Sequence, residues 1–523
     1  MLFASAYALL LHKLTGAKDV LLGTTASGRT APQSRDILGP FVRTLPLRLQ
    51  LSPEGSAAEL VEQVRGRTLE LSAHQDVDAA AVARQARGKA GRVFNALFSM
   101  RPFGEEEFAF LGEKVDLVPA DTGYAKFPLS LEAAKAGGGY AFTLEYAANL
   151  IDDDAAALWT RSYTAIVGAL LSNDAVSIAQ LDPLCEQDRY DLIDRPDRLN
   201  TPFADIPLDY TIAHAALVRA DAPAVRFCGE TTSYAALMAR AERVARALAA
   251  RGLGRGDVVG VVHARTPDLL AALVGIMRAG CAYMPALASY PAERLAYMAN
   301  TAGAKLILAD DASAAALAGM PLPCEVLAVN ALGEHPGAAL PTLRERRGED
   351  GIYVLFTSGS TGRPKGSVNT HAAIANLLEA MTPVIGDEER ILCATNAVFD
   401  IFMTESLLPL ALGRCVVLAD EQEMLLPQAL AELIVREDAT LLQLTPSRLR
   451  MCLGNDAFRA AAARLNVMLV AGEPLSPQLA ERFHEASRAR LYNLYGPTEA
   501  SVYATFTACE PGAPRISIGR PVR

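Results

Sequence analysis

From Ser233 onward the chain alternates strand-like and helix-like segments, and this alternation limits the available folds more than any other feature. Ser233 stands where an N-cap is wanted. Leu237, Val244 and Leu248 then fall on one helical face, and Gly252 ends the run. Val258-Val259-Gly260-Val261-Val262 reads as a buried strand, residues 267–279 as a helix, and Lys305-Leu306-Ile307-Leu308 as a further strand. Strands joined through helices pair in parallel, and both faces of such a sheet need cover. The expected class is α/β, with mostly parallel sheets flanked by helices. Ligands on such sheets gather at the carboxyl ends of the strands.

Residues 182–209 carry dense charge and repeated prolines, a poor interior for any element, and read as a linker. The block before it, 1–181, mixes helices at 56–73 (with Ser56 as N-cap) and 153–171 with a strand at 141–146. Its apolar opening, 1–11, lacks a basic start and a small-residue cleavage site, so it reads as a buried helix and not a secretory leader. No uncharged apolar run reaches bilayer length. The 8 cysteines form no C-x-x-C pair, which argues against a disulfide framework or a zinc site. A formal net charge of -10 favours neither nucleic acid nor an anionic membrane as partner. A soluble, cytoplasmic protein is expected.

The strongest chemical signal is Tyr353-Val354-Leu355-Phe356 running into Thr357-Ser358-Gly359-Ser360-Thr361-Gly362-Arg363-Pro364-Lys365-Gly366, with an apolar helix from near His371. Glycines let backbone approach a phosphate, hydroxyls and N–H groups donate to its oxygens, and Lys365 adds charge. It is not a Walker A loop, because Lys365 does not directly follow a glycine. A second strand, 491–495, leads into Gly496-Pro497-Thr498-Glu499. A strand-end aromatic can stack on a base, an asparagine can read its edge, and a carboxylate can hold Mg²⁺. Asp400 follows Phe399 in an otherwise uncharged stretch, 391–404. It is either a helix cap or the counter-ion of a cation. Gln443, inside Leu441-Leu442-Gln443-Leu444, needs a partner if buried.

The loop TSGSTGRPKG resembles the signature of the adenylate-forming enzymes, which include acyl-CoA synthetases, luciferases and the adenylation domains of nonribosomal peptide synthetases. Residues 233–237, 278–285, 399–400 and 493–499 resemble further adenylation motifs in the same order, so the likeness covers about 211 to 523. It implies a large N-terminal subdomain of the adenylate-forming fold at 210–523, using ATP and Mg²⁺ to convert an amino acid into its aminoacyl adenylate with release of pyrophosphate. Thr357, Ser358, Gly359, Ser360, Thr361, Gly362 and Lys365 would handle the nucleotide phosphates, with Thr361 and Lys365 acting at the reacting one. Tyr495, Asn493 and Gly472 would border adenine, and Glu499 would bind the metal. Asp400 would hold the substrate ammonium. The remaining pocket positions are Ile401, Thr404, Gln443, Leu469, Ala471, Leu494, Val502 and Tyr503. The set is similar to glycine-type pockets of the family, departing at Ala471 and Tyr503, and implies a small neutral substrate. The implied partners are a peptidyl carrier protein domain bearing phosphopantetheine and other synthetase modules.

Residues 37–48, 73–76 and 94–98 resemble the C-terminal lobe of a condensation domain, more loosely: the family has Asn where Arg43 stands and Pro-Phe where Asp78-Ala79 stands. The condensation signature H-H-x-x-x-D-G does not occur, so no condensation activity is expected of this chain. His74 reads as a helix-end residue. The chain stops at Arg523, before the family's ribose-binding aspartate, hinge and lid, so slow turnover is expected. Two other readings stand beside this one: a stand-alone acyl- or aryl-acid CoA ligase, and a truncated remnant serving only as an interaction scaffold.

Overall fold

The computed structural model describes residues 1–34, 36–76, 93–101, 109–110, 113–114, 123–136, 138–172, 176–194, 203, 205–357 and 363–522. The chain divides into two compact units, Met1–Arg195 and Pro196–Arg523.

In the first unit, helix α1 (Leu2–Thr15) buries Ala4 through Leu10, as the apolar opening run requires, and ends at Gly16 with φ +71°. Strands β1 (Asp19–Ala26) and β2 (Arg43–Gln50) follow, then helix α2 (Ala57–Ala73). Its cap is the expected one. The Ser56 hydroxyl accepts from the Glu59 N–H, and the Glu59 carboxylate accepts from the Ser56 N–H. His74 closes the same helix at its far end. Strands β3 (Ala96–Arg101), β4 (Leu129–Ala136) and β5 (Gly139–Tyr146) complete a 5-stranded sheet ordered β2-β1-β3-β4-β5, with helix α3 (Asp153–Ser172) beyond it. One apolar cluster joins α1, α2 and α3 to the sheet through Leu9, Val64 and Ile166. Asp78 and Ala79 lie outside the described residues.

The stretch read as a linker is more structured than its composition suggested. Glu186–Arg189 and Tyr190–Asp194 are helical, and a helix at Leu208–Val218 begins inside it. Asp209 is fully buried there, 3.3 Å from Arg346. Burial pushes its carboxyl up to about 6 against the pull of Arg346 and Arg278. A charge that looks solvated in sequence is thus held by arginines distant along the chain.

In the second unit, β6 (Pro223–Phe227) and β7 (Glu230–Ser233) precede α4 (Tyr234–Ala250), which Ser233 caps by accepting from the Ala236 N–H. Then come β8 (Val258–Val262), α5 (Pro267–Arg278), β9 (Ala282–Pro285), β10 (Ala304–Ala309), β11 (Glu325–Ala328), β12 (Gly351–Thr357) and β13 (Lys365–Thr370). The six form a sheet ordered β11-β10-β8-β9-β12-β13, parallel throughout except for the β12–β13 pair. Helix α6 (His371–Ile385) leads to β14 (Arg390–Cys393), β15 (Cys415–Leu418), β16 (Leu441–Leu444), β17 (Val467–Ala471), β18 (Arg490–Tyr495), β19 (Thr505–Ala508) and β20 (Arg520–Pro521). Together with β6 and β7 they build a 9-stranded sheet ordered β20-β19-β18-β17-β16-β14-β15-β6-β7. Its centre, β6 to β18, is parallel, and its edges are antiparallel. Every residue of α5 from Leu269 to Met277 is buried. That is the pattern of a helix packed on all sides, and a single apolar cluster contains α5 together with Val259 and Leu306 of one sheet and Val416 and Leu469 of the other.

Candidate active site

Strands β14, β16, β17 and β18 are mutually parallel, so their carboxyl ends emerge on one edge of the large sheet. A cavity of ≈ 500 Å³ opens there, lined by the residues that follow each strand. Thr395, Asn396, Asp400 and Ile401 come after β14. Thr445 follows β16, Gly472 follows β17, and Gly496, Pro497 and Thr498 follow β18. Gln443, Ala471, Val502 and Tyr503 also face it.

Asp400 sits half-buried in the wall. Its carboxylate accepts from the Ile401 N–H at 2.8 Å and from the Thr498 hydroxyl. Burial raises its pKa above the ordinary aspartate value, these donors oppose the rise, and nearby Glu499 adds to it. It accepts from its immediate neighbour and does not cap a helix at N2 or N3. The structure therefore brings Asp400 to the motif turn at Thr498.

A polar network runs through the wall of the cavity at Gln443 and Tyr503. The Tyr503 hydroxyl donates to Gln443 Oε1 at 2.6 Å, and the Thr404 hydroxyl lies 3.1 Å from the same oxygen. Gln443 Nε2 donates to Glu405 Oε1 at 3.2 Å and lies 3.4 Å from the Ile401 carbonyl. The buried glutamine thus has the partners its position demands. Glu405 is the residue that reading the sequence missed. It is fully buried and accepts from the Ala394 and Thr395 N–H groups at 2.7 and 2.8 Å. Its signal was available: a lone glutamate inside the otherwise uncharged run 401–412.

Val502 and Tyr503 are aimed inward by an unusual turn between β18 and β19. Ser501 and Val502 hold φ of +59° and +74°, a region that a β-branched residue rarely enters. Gly496 permits the turn to fold onto itself, since a Cβ there would stand 2.4 Å from the Val502 carbonyl oxygen.

Not every expected residue lines this cavity. Leu469 and Leu494 belong to the apolar core one layer below, and Thr404 reaches the site through Gln443. Asn493 is buried and donates to the Ser517 carbonyl at 2.8 Å, whereas Tyr495 and Glu499 are exposed. Thr357 and Lys365 face each other across β12 and β13, closing the stem of the glycine-rich loop. Ser358, Gly359, Ser360, Thr361 and Gly362 lie outside the described residues. The stem is tied to the motif turn. On β13, Asn369 donates to the Thr498 carbonyl at 3.0 Å and accepts from the Ser501 hydroxyl at 2.5 Å.

Residues 212–523 match the family described as AMP-binding enzyme. The chain belongs to that family. Residues 1–193 match the family described as condensation domain, so the chain has the condensation–adenylation arrangement of nonribosomal peptide synthetases. It is 32% identical over 552 residues to phosphinothricin tripeptide synthetase PhsB of Streptomyces viridochromogenes, covering 99% of this chain and 45% of that one. Tyrocidine synthase 3 of Brevibacillus parabrevis is 28% identical, covering 100% of this chain and 8% of that one. The chain thus spans less than half the length of either relative. Among solved structures, holo-AB3403, a four-domain nonribosomal peptide synthetase bound to AMP and glycine, superposes with a TM-score of 0.83 at 25% identity, covering 100% of this chain and 40% of that one. Among the described residues of this family member, no helix is long and apolar enough to cross a membrane, and no cluster of His, Cys, Asp and Glu could by itself hold a metal ion. All eight cysteines are free thiols.

Proposed function

We propose that residues 210–523 activate a small neutral amino acid as its adenylate, for loading onto a carrier protein, with residues 1–181 as a condensation-domain lobe and 182–209 joining the two. The observation that carries this reading is the half-buried Asp400 in the wall of a cavity whose buried Gln443 is already satisfied. An ammonium group is the ligand that such a carboxylate lacks. In the reaction the amino-acid carboxylate attacks the α-phosphorus of ATP and pyrophosphate departs, so the protein contributes positioning and charge stabilisation. Asp400 orients the amino acid. The glycine-rich loop from Thr357 to Lys365 handles the phosphates, with Thr361 and Lys365 at the reacting one. Gly472, Asn493 and Tyr495 mark the adenine side.

Glu499 suits a metal held jointly with phosphate. It is an exposed carboxylate beside Thr498, and the described residues supply no complete cage of their own. Mg²⁺ bound there would neutralise phosphate charge. The walls support a neutral substrate. Ala471, Val502 and Ile401 are apolar, and every hydrogen-bonding position of Gln443 has a partner inside the protein. A neighbour crystallised with AMP and glycine supports the same class. Free thiols fit a reducing cytoplasm. The acid-ligase alternative would leave Asp400 without a function.

Amino-acid-dependent exchange of labelled pyrophosphate into ATP tests this across the standard amino acids. Glycine, alanine or serine should give the highest rates. Preference for a large aromatic or charged amino acid would defeat the substrate assignment.

A further inference from the structure

Four donors fill the buried carboxylate of Glu405: the Ala394 and Thr395 N–H groups on Oε2, and the Thr395 hydroxyl (2.6 Å) and Gln443 Nε2 (3.2 Å) on Oε1. Burial raises the Glu405 pKa above the ordinary glutamate value, and the Thr395 and Ala394 donors together with Arg265, which itself donates to the carbonyls of Cys393, Thr395 and Ala419, oppose that rise. A carboxylate in this setting can only accept. It therefore decides which end of the Gln443 amide it faces: the NH₂ turns to Glu405 and the carbonyl to Tyr503 and Thr404. Tyr503 has one proton, and it is committed to that carbonyl at 2.6 Å. Tyr503 lines the cavity, and with its proton so committed its phenol oxygen can only accept, from the Thr404 hydroxyl 3.5 Å away or from a ligand.

The geometry points to Glu405 as the positioning residue that sets the polarity of the substrate pocket. Through Gln443 it makes the Tyr503 end an acceptor, which admits apolar or hydrogen-bond-donating side chains and rejects those that can only accept. This rests on the amino-acid reading of the cavity. Glu405→Gln keeps size and can still accept from the two backbone N–H groups, but its NH₂ then confronts that of Gln443. Turning the Gln443 amide over relieves the clash, sets its NH₂ against the Tyr503 oxygen and frees the phenol proton for the Thr404 oxygen or a cavity ligand.

Two side chains of equal shape separate the states. Propargylglycine ends in an alkyne C–H, and β-cyanoalanine ends in a nitrile acceptor. Their non-hydrolysable sulfamoyl-adenosine conjugates, titrated calorimetrically into the full chain, need no turnover. The wild type should bind the alkyne conjugate about fivefold or more tightly, the scale of one mismatched hydrogen bond. Glu405→Gln should invert that order. Tyr503→Phe with Glu405 intact should bring the ratio close to one, and it decides the matter should Glu405→Gln not fold. An unchanged ratio in Glu405→Gln, with or without equal weakening of both conjugates, overturns the inference. So does a persisting ratio in Tyr503→Phe, or rejection of both conjugates by a wild type that binds the alanyl conjugate. Failure of the alanyl conjugate to bind defeats the amino-acid reading instead.

Discussion

Asp400→Ala should lower kcat/KM for the amino acid by at least about 100-fold, because removing one member of a desolvated ion pair costs on the order of 3 kcal/mol. The KM for ATP should move far less, since Asp400 belongs to the end of the cavity beside Ile401, Gln443 and Tyr503. Stability should not fall with activity. Burial already penalises the Asp400 charge in the free protein, so its removal relieves a strain kept for binding. Thermal denaturation should show an unchanged or raised Tm. The same carboxylate predicts a pH dependence with a definite sign. Its free-state pKa is raised by burial, and pairing with an ammonium lowers it in the complex. Amino-acid affinity is therefore complete above the free-state pKa and weakens as pH falls through it, by up to about tenfold per pH unit. Asp400→Asn should flatten that profile. Equal kinetics for Asp400→Ala and the wild type would exclude the counter-ion role.

Gly496→Ala should be the most damaging single methyl in the site. Its Cβ would meet the Val502 carbonyl oxygen at 2.4 Å, the Tyr503 Cα at 2.7 Å and the Ala504 nitrogen at 2.8 Å. All three are backbone atoms, so no side-chain rotation relieves the contact and the turn between β18 and β19 must open. Opening it releases Val502 from φ +74° and swings Tyr503 off Gln443. The expected outcome is a loss of about 2–4 kcal/mol in stability together with near-complete loss of adenylate formation. Gly66→Ala is the control. It lies in helix α2 with nothing within 4 Å of the added carbon, and it should be neutral or stabilising by about 0.5–1 kcal/mol. Retention of full activity by Gly496→Ala would show that the turn tolerates rearrangement and does not aim Tyr503.

What could be read from the sequence was what local chemistry dictates. Ser56 and Ser233 cap helices because a short hydroxyl followed by an apolar period has little else to do there, and both do so. The parallel sheet followed from strand–helix alternation, and the position of the cavity from the strand-end rule. Gln443 announced that it needed a partner, but not which. Glu405 precedes it by 38 residues and comes near only because β14 pairs directly with β16. Tyr503 posed a similar difficulty. Its direction depends on two positive φ angles at non-glycine residues, which no composition rule anticipates. The charged connector misled for the opposite reason. Local charge reads as solvated, whereas Asp209 is buried against Arg346, 137 residues away along the chain.

The most direct measurement is a crystal structure of the chain with alanyl sulfamoyl-adenosine. The account predicts the alanyl ammonium within hydrogen-bonding distance of the Asp400 carboxylate, at about 2.7–3.0 Å, its methyl group toward Ala471 and Tyr503, and the nucleoside on the Gly472 side. An ammonium directed to solvent, with Asp400 bound only to Thr498 and the Ile401 N–H, would contradict it.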